Sequence, residues 1–557
     1  MKLQFLKLIN KYRSLEPFEH TFLKHPLLKN RIDPICLVGL NGSGKSNFLE
    51  LLSDIFFDIE IYFLHNKKLY KKYSPKYFPY ANNKTKEIIL FEIEYQILVK
   101  GKEEVIRIKR SKETGKKLQF ELKDTSDSKE KGNFFLLDEA VARNYLPLVV
   151  AYTSGLNDLL SLPYIDVQDY YAQQVAIEAL SGETSDKNIP SPNLLLLNYD
   201  TNAAIVISNF ILGEEGKLEV FKKNIRISRI NSFRIIIRLN KLYGNKKVEV
   251  TDELQQYIND LQECASLIDL VVDEVRGNVY TFDFIVNDAT KGLFAEKFGN
   301  AQKLFEALTK LNLLNTLCIR NANRGLLRKR REKGQLIKFP QIASLDKIFD
   351  IEKIELVIKK PLVRTEYEKI SDGEHQFIHI IGGILLFDES KPERDLLYLL
   401  DEPDTHFNPL WRSDFFFQLE NVLTNKKVEF VITTHSPFIL SDCHGYNVFK
   451  FTRVEDKVSF QRVEQETYGS TYENVTEYLF DPNTDQYRNF DSRIAKMAFV
   501  DIEILHKEIN QIDTKEKWAS NYENFLKRIR MLGESVDRLN LLEEYENKKK
   551  EYEPNEL

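Results

Sequence analysis

Four short apolar runs, each closing on a cluster of polar residues, set the pattern of this chain. Ile35–Val38 runs into Gly39-Leu40-Asn41-Gly42-Ser43-Gly44-Lys45-Ser46-Asn47, and Tyr145–Thr153 runs into Ser154-Gly155-Leu156-Asn157-Asp158. Leu396–Leu400 ends in Asp401-Glu402-Pro403, and Val428–Ile432 ends in Thr433-Thr434-His435-Ser436-Pro437. Such runs predict strands buried on both faces, with ligand groups gathered at the carboxyl edge of a parallel sheet. Glu87–Leu98, Glu104–Lys109 and Leu118–Lys123 are β-rich with polar turns between them, which predicts a flanking antiparallel sheet. Lys2–Leu8 and Phe18–Phe22 are two further strand candidates, and the apolar spacing after Asn47 predicts a helix to about Phe57.

The middle of the chain changes character. Helical periodicity dominates Asp166–Leu180, Leu194–Leu212, Thr251–Val271 and Ala301–Leu327, interrupted by β-like Ser232–Leu239 and Tyr280–Val286. Ile348–Ile358 is another strand candidate, and Ile370–Phe387 opens on a polar turn and continues as a helix. Beyond Asp481 the chain is helical and charged, with Lys548–Glu551 read as a solvated tail. This predicts residues 1–160 and 336–480 as two parts of one core, 161–335 as a mostly helical insertion, and 481–557 as a helical C-terminal region. No fixed-period repeat or sustained heptad pattern is visible.

Gly39-x4-Gly44-Lys45-Ser46 lies between a strand and a helix, where backbone N–H groups and the helix start can wrap a phosphate. Lys45 would reach the β- and γ-phosphates of ATP, with Gly39, Asn41, Gly42, Ser43, Gly44 and Asn47 forming the cradle. Ser46 and Asp401 would hold Mg²⁺, and Glu402 would take a proton from the attacking water. His435 suits a γ-phosphate contact.

A chain of 557 residues with 29% charged residues and net charge −5 fits a soluble protein of two or three domains. The four cysteines, Cys36, Cys264, Cys318 and Cys443, lack CxxC spacing and read as reduced cytosolic thiols. Neither a signal peptide nor a membrane-length apolar run is present, so a cytoplasmic location without a membrane is expected.

The phosphate loop, Ile370-Ser371-Asp372-Gly373-Glu374, the LLYLLDEPD stretch and TTHSPF, in that order, resemble the ATP-binding-cassette (ABC) ATPases. More narrowly they resemble the soluble branch that includes the RecF, SMC and OLD-type proteins. The resemblance implies an α/β P-loop core, a mixed sheet with an antiparallel lobe, and a head-to-tail dimer that sandwiches two ATP molecules. It implies that Ser371 and Gly373 touch the γ-phosphate bound by the partner's loop, and that Asp404 lies in the loop crossing the dimer interface. One departure is Asp372, a carboxylate where the family places glycine. The family's glutamine loop has no assigned position.

VVAYTSGLND, SDGEHQF, DEPDTHFNP and TYGSTYENV resemble the ATPase subunits of bacterial anti-phage systems, of the Septu (PtuA) kind and those attached to retrons. That likeness implies an HNH nuclease partner (PtuB-like), a homodimer or higher homo-oligomer, and in retrons a reverse transcriptase with its DNA–RNA element. No Toprim or HNH motif is found in this sequence, so nucleic-acid cleavage is expected from another polypeptide. Asp481–Asp485 has two acids at the wrong spacing for a nuclease metal pair and reads as a turn. A basic run, Arg320, Arg324, Arg328, Lys329, Arg330, Arg331 and Lys333, reads either as a nucleic-acid contact or as a solvated face. Arg226, Arg229, Arg234 and Arg238 form a second set open to the same two readings. The rival functions are a RecF-type DNA-repair clamp without an effector and a transporter's energy module.

Overall fold

The computed structural model describes residues 1–22, 32–66, 88–113, 115, 117–124, 133–155, 157, 159–168, 171, 192–239, 242–243, 246–247, 250–273, 277–318, 342–359, 362–388, 395–424, 428–480, 496–532 and 536–552. The basic run Arg320–Lys333 and Asp481–Asp485 lie outside the described residues. The chain divides into two units, Met1–Ser470 and Thr471–Leu557.

Seven strands build the central sheet of the first unit. In spatial order they are Lys457–Arg462, Val448–Val454, Ile35–Val38, Glu429–Thr433, Leu396–Asp401, Leu148–Thr153 and Leu194–Leu197. The first pair is an antiparallel hairpin and the other neighbours run parallel. Every residue of Leu396–Asp401 and Glu429–Thr433 is buried, as strands covered on both faces must be. Alternation then sorts the side chains. Leu397 and Leu399 join Leu37, Val149 and Val431 in the cluster around the helix Lys45–Asn66. Tyr398 points the other way, its hydroxyl 3.4 Å from the Ile384 carbonyl of the helix Asp372–Leu386.

The helix Lys45–Asn66 is held between two sheets. Its other cover is a six-stranded antiparallel lobe in the order Phe18–Thr21, Lys2–Leu8, Phe91–Val99, Lys102–Arg110, Gln119–Lys123, Phe134–Leu136. Phe91, Ile93, Tyr95 and Ile97 alternate inward from this lobe into the same cluster. The helix outruns the expected end near Phe57 because Ile59 and Phe63 extend its buried side. Removing one such core side chain, as in Leu399→Ala, costs about 2–5 kcal/mol.

A third sheet, five strands in the order Leu267–Asp273, Gly277–Ile285, Ile227–Leu239, Phe349–Ile358, Val363–Glu366, lies in the middle of the sequence. Two segments expected to be helical contribute strands instead. Leu194–Leu197 is an edge strand of the central sheet, and its helix starts only at Tyr199, capped by Asn198. The helix from Asp252 stops at Cys264, and Leu267–Asp273 pairs with Gly277–Ile285. A continuous apolar run fits either period, so neighbours decide it.

The second unit holds the helix Tyr472–Phe480 and three longer helices, Lys496–Asn510, Lys515–Met531 and Val536–Tyr552. The longer three close around Trp518, whose ring lies 5.2 Å from that of Tyr545, with Leu505, Ile509, Phe525 and Leu541. Lys548–Glu551 is the end of the last helix rather than a tail. Lys548 donates to the Ile512 carbonyl at 3.1 Å and pairs with Glu551 at 3.2 Å. Among the described residues no helix is long and apolar enough to cross a membrane.

Candidate nucleotide site

Three neighbouring strands deliver the site. Ile35–Val38 ends in the glycine loop, Glu429–Thr433 in His435, and Leu396–Asp401 in the acidic pair, side by side and pointing the same way. Residues distant in sequence therefore meet at one sheet edge. The Lys45 ammonium, only 5% exposed as a residue, donates to the Gly39 carbonyl (3.0 Å) and the Leu40 carbonyl (3.2 Å) and lies 2.9 Å from His435 Nε2. Burial pushes its pKa down, while Glu402 and Asp401 pull it back up.

The loop is shaped by its surroundings as well as by any ligand. A Cβ on Gly39 would sit 2.5 Å from the Phe451 carbonyl oxygen, and one on Gly44 would sit 2.7 Å from Val458 Cγ1. The hairpin Val448–Arg462 thus leaves no room for side chains there. Both glycines also hold positive φ, +143° and +97°. Ser43 Oγ is buried without a hydrogen-bond partner. Leu40, Asn41 and Gly42 form the exposed rim of the loop, and Asn47 reaches back to the Ser14 hydroxyl. A closely hugged glycine loop, a buried lysine, an orphaned hydroxyl and a helix start together fit a polyphosphate.

Asp401 is the hub of the other half. Its Oδ1 accepts from the Ser46 hydroxyl (3.1 Å) and the Thr433 hydroxyl (2.7 Å), and its Oδ2 accepts from Asn157 Nδ2 (2.9 Å). A hydroxyl and one carboxylate in contact fit Mg²⁺, which keeps waters and phosphate oxygens as its remaining ligands. Among the described residues no group of three or more His, Cys, Asp or Glu side chains could hold a metal by itself. Glu402 follows with φ +50°, a left-handed backbone rare for a residue with a side chain. Its carboxylate lies 3.4 Å from His435 Nε2. That contact, though long, is the main reason the Glu402 carboxyl is held below the ordinary glutamate range; burial opposes it, and Lys45 and Thr405 support it.

The remaining expected residues lie apart from this cluster. Ser371 caps the helix Asp372–Leu386, and its hydroxyl is 2.8 Å from Glu374 Oε2, which also accepts from the Ser371 backbone N–H. Ser371 and the departing Asp372 are both exposed. Gly373 lies against the Asp404 loop: a Cβ there would be 2.8 Å from the His406 carbonyl oxygen. Among the described contacts none joins Ser371 or Gly373 to Lys45 of the same chain. Asp404 turns inward, accepting from the Thr434 hydroxyl at 3.0 Å with Arg412 at 3.6 Å, and burial raises its pKa.

Three side chains enter that sequence reasoning did not assign: Thr433, Asn157 and Gln376. Thr433 and Asn157 lay within polar clusters at strand ends, which was the available signal. Buried Gln376 had none; it donates to the Tyr152 hydroxyl at 3.0 Å and accepts from the His406 N–H at 2.8 Å. It ties the serine-turn helix to both the Asp404 loop and the strand Leu148–Thr153. In the second arginine set, Arg234 pairs twice with Asp283 at 2.6 and 2.7 Å, and buried Arg238 donates to the Lys347 carbonyl. Those two cations are engaged within the chain.

The profile of the family described as "AAA domain, putative AbiEii toxin, Type IV TA system" matches residues 257–441, which include the serine turn, the acidic pair and His435. The chain is 23% identical over 219 residues to a retron Vc95 probable ATPase of Vibrio cholerae serotype O1 biovar El Tor, covering 36% of this chain and 41% of that protein. It is 25% identical over 153 residues to a retron Ec83 probable ATPase of Escherichia coli, covering 26% and 28% respectively. The chain thus spans less than half the length of these curated relatives. A solved SMC head domain from Thermotoga maritima aligns over 84% of this chain and 100% of its own, at 11% identity and a TM-score of 0.30. The chain is similar to an AAA-domain family and to retron ATPases at low identity.

Proposed function

We propose that this protein is an ABC-type ATPase subunit of a bacterial anti-phage complex, PtuA-like, which closes as a dimer around ATP and governs a partner HNH nuclease. The observation that carries the reading is the convergence of Lys45, Ser46, Asp401, Glu402 and His435 at one sheet edge. The named retron ATPases support the defence setting.

Bound Mg²⁺ supplies charge neutralisation on the phosphates. The chain's own residues supply the rest. Gly39–Asn47 and Lys45 bind and orient the polyphosphate, while Ser46 and Asp401 hold the cation, with Thr433 and Asn157 fixing the Asp401 carboxylate. Glu402, whose carboxyl is held below the ordinary glutamate range chiefly by His435, accepts the water's proton. His435 Nε2 lies between a cation at 2.9 Å and an anion at 3.4 Å, and one nitrogen can serve only one of them at a time. Drawing Lys45 onto a phosphate frees Nε2, and a shift of the ring proton from Nδ1 to Nε2 then lets it donate to Glu402, which couples nucleotide arrival to the base.

Ser371 and Gly373 stand ready for the nucleotide of a second subunit. The test is turnover against protein concentration, together with co-purification from a host carrying the genomic neighbours. Turnover that rises steeply with concentration, and retention of an HNH protein, support the proposal. A rate per subunit indifferent to concentration overturns the sandwich, and a preparation bound only by recombination proteins favours the DNA-repair reading.

A further inference from the structure

Among the described residues the three larger sheets end in six edge strands, and five of them are short or polar. Phe18–Thr21, Leu194–Leu197 and Val363–Glu366 have four residues each, Phe134–Leu136 has three, and Lys457–Arg462 reads KVSFQR. Those are the usual protections against pairing with another chain. Leu267–Asp273 is the exception: seven residues, LIDLVVD, with no basic residue, proline or bulge in its pairing. It bonds to Gly277–Ile285 on one side, and among the described residues no strand pairs with the other. Leu267, Ile268, Leu270, Val271 and Val272 are 61%, 45%, 49%, 52% and 74% exposed.

Alternation gives the strand two unlike faces. Ile268, Leu270 and Val272 share the face on which their cross-strand partners Phe282, Tyr280 and Asn278 lie, so an apolar stripe continues off the sheet's edge. Leu267, Asp269 and Val271 share the other face. A second copy running antiparallel would meet this strand in a register fixed by its own sequence. The full-overlap register centres on Leu270 and pairs Ile268 with Val272, Asp269 with Val271, and Leu267 with Asp273. Each acid then faces an apolar residue. Sliding two residues one way sets Asp269 opposite itself, and sliding the other way sets it opposite Asp273, both like-charge pairs. Sliding by one residue turns the apolar stripe of one copy to the other face. Of the registers that pair at least five residues, the strand is therefore complementary to itself in one.

We infer that Leu267–Asp273 is a homotypic interface, at which a second copy of this chain adds its own Leu267–Asp273 antiparallel and joins two five-stranded sheets into one. This contact needs no nucleotide and uses none of the residues of the ATP sandwich. A subunit could thus hold one partner through ATP and another through this edge.

The test is sedimentation of the full-length Lys45→Ala protein without nucleotide, over a range of concentrations. A dimer is expected. Leu270→Lys, which sets two cations face to face at the two-fold axis, should weaken it roughly tenfold or more while leaving the melting temperature unchanged at dilutions where both proteins are monomeric. Leu270→Cys should form an intersubunit disulfide under a mild oxidant, whereas Val271→Cys, two rungs from its equivalent, should not. A monomer at every concentration overturns the inference, as does a dimer untouched by Leu270→Lys. So does a Leu270→Cys protein that stays folded yet cross-links only to a co-expressed neighbour. Because the ATP sandwich is absent from these samples, their outcome is separate from that of the proposed function.

Discussion

The phosphate loop and the serine turn are two halves of one proposed site, and they are built on opposite plans. Around Lys45 and Asp401 the polar groups are buried and cross-braced: three contacts to the lysine ammonium and three donors to one carboxylate. At Ser371 the groups are exposed, and the serine and Glu374 satisfy each other in a capping box. The first half is finished within one chain. The second has a hydroxyl and a glycine at the open start of a helix, where orphan N–H groups favour an anion, with no phosphate-binding residue of its own chain described beside it. A half-site preorganised by burial and a half-site held by a local cap fit the shared nucleotide of the proposed dimer.

Glu402→Gln should have the greatest effect on the braced half. It keeps the side-chain shape and leaves the loop untouched, so ATP affinity should hold while kcat falls by about 10²–10⁴, the usual worth of a positioned base. Undiminished turnover in single-turnover assays would remove Glu402 from that role. Ser371→Ala addresses the other half. Loss of the cap alone should cost about 0.5–2 kcal/mol of stability. If the turn also reaches a second subunit's nucleotide, kcat should drop at least tenfold at a fixed folded fraction; a change in melting temperature alone would leave Ser371 as a helix cap.

Gln376 joins the serine-turn helix to the strand Leu148–Thr153 and to the loop after the acidic pair. Gln376→Leu leaves the buried Tyr152 hydroxyl and the His406 N–H without their partner, each worth about 1–3 kcal/mol. Tyr152→Phe removes one of those orphans in advance. The double variant should therefore lose less stability than the sum of the single ones, by about 1 kcal/mol in a denaturation cycle. Additivity would mean that the two side chains do not act together.

Much of the buried half was legible in the sequence. Asp401 and Glu402 close one apolar run, His435 follows a second, and Lys45 lies in the glycine loop after a third, and such runs in a parallel sheet end at a common edge. What was not legible depends on contacts between distant segments. Asn157 is identified only by the pairing of Leu148–Thr153 with Leu396–Asp401, which brings its amide to Asp401. Asp404 looked available to a neighbour, but Thr434 and Arg412 turn it inward. Leu194–Leu197 and Leu267–Asp273 carry helix-compatible spacing and became strands because a sheet edge lay beside them.

The smallest expected effect is the most specific to the braced half. His435 is the largest cause of the low Glu402 pKa, ahead of Lys45 and Thr405, and burial works against all three. A depressed carboxyl pKa leaves the base ionised down to lower pH, so activity should persist until pH falls through that depressed value. His435→Ala removes the main cause and leaves burial less opposed. The acid limb of the kcat–pH profile should then move to higher pH, whatever the variant does to the plateau rate. The sign is the same for stability: the contribution of Glu402 is present above its unfolded pKa and lost as pH falls through the folded one, and without His435 that loss begins at higher pH. An acid limb that stays in place would mean that another group titrates there, and His435 would keep only its contact with Lys45.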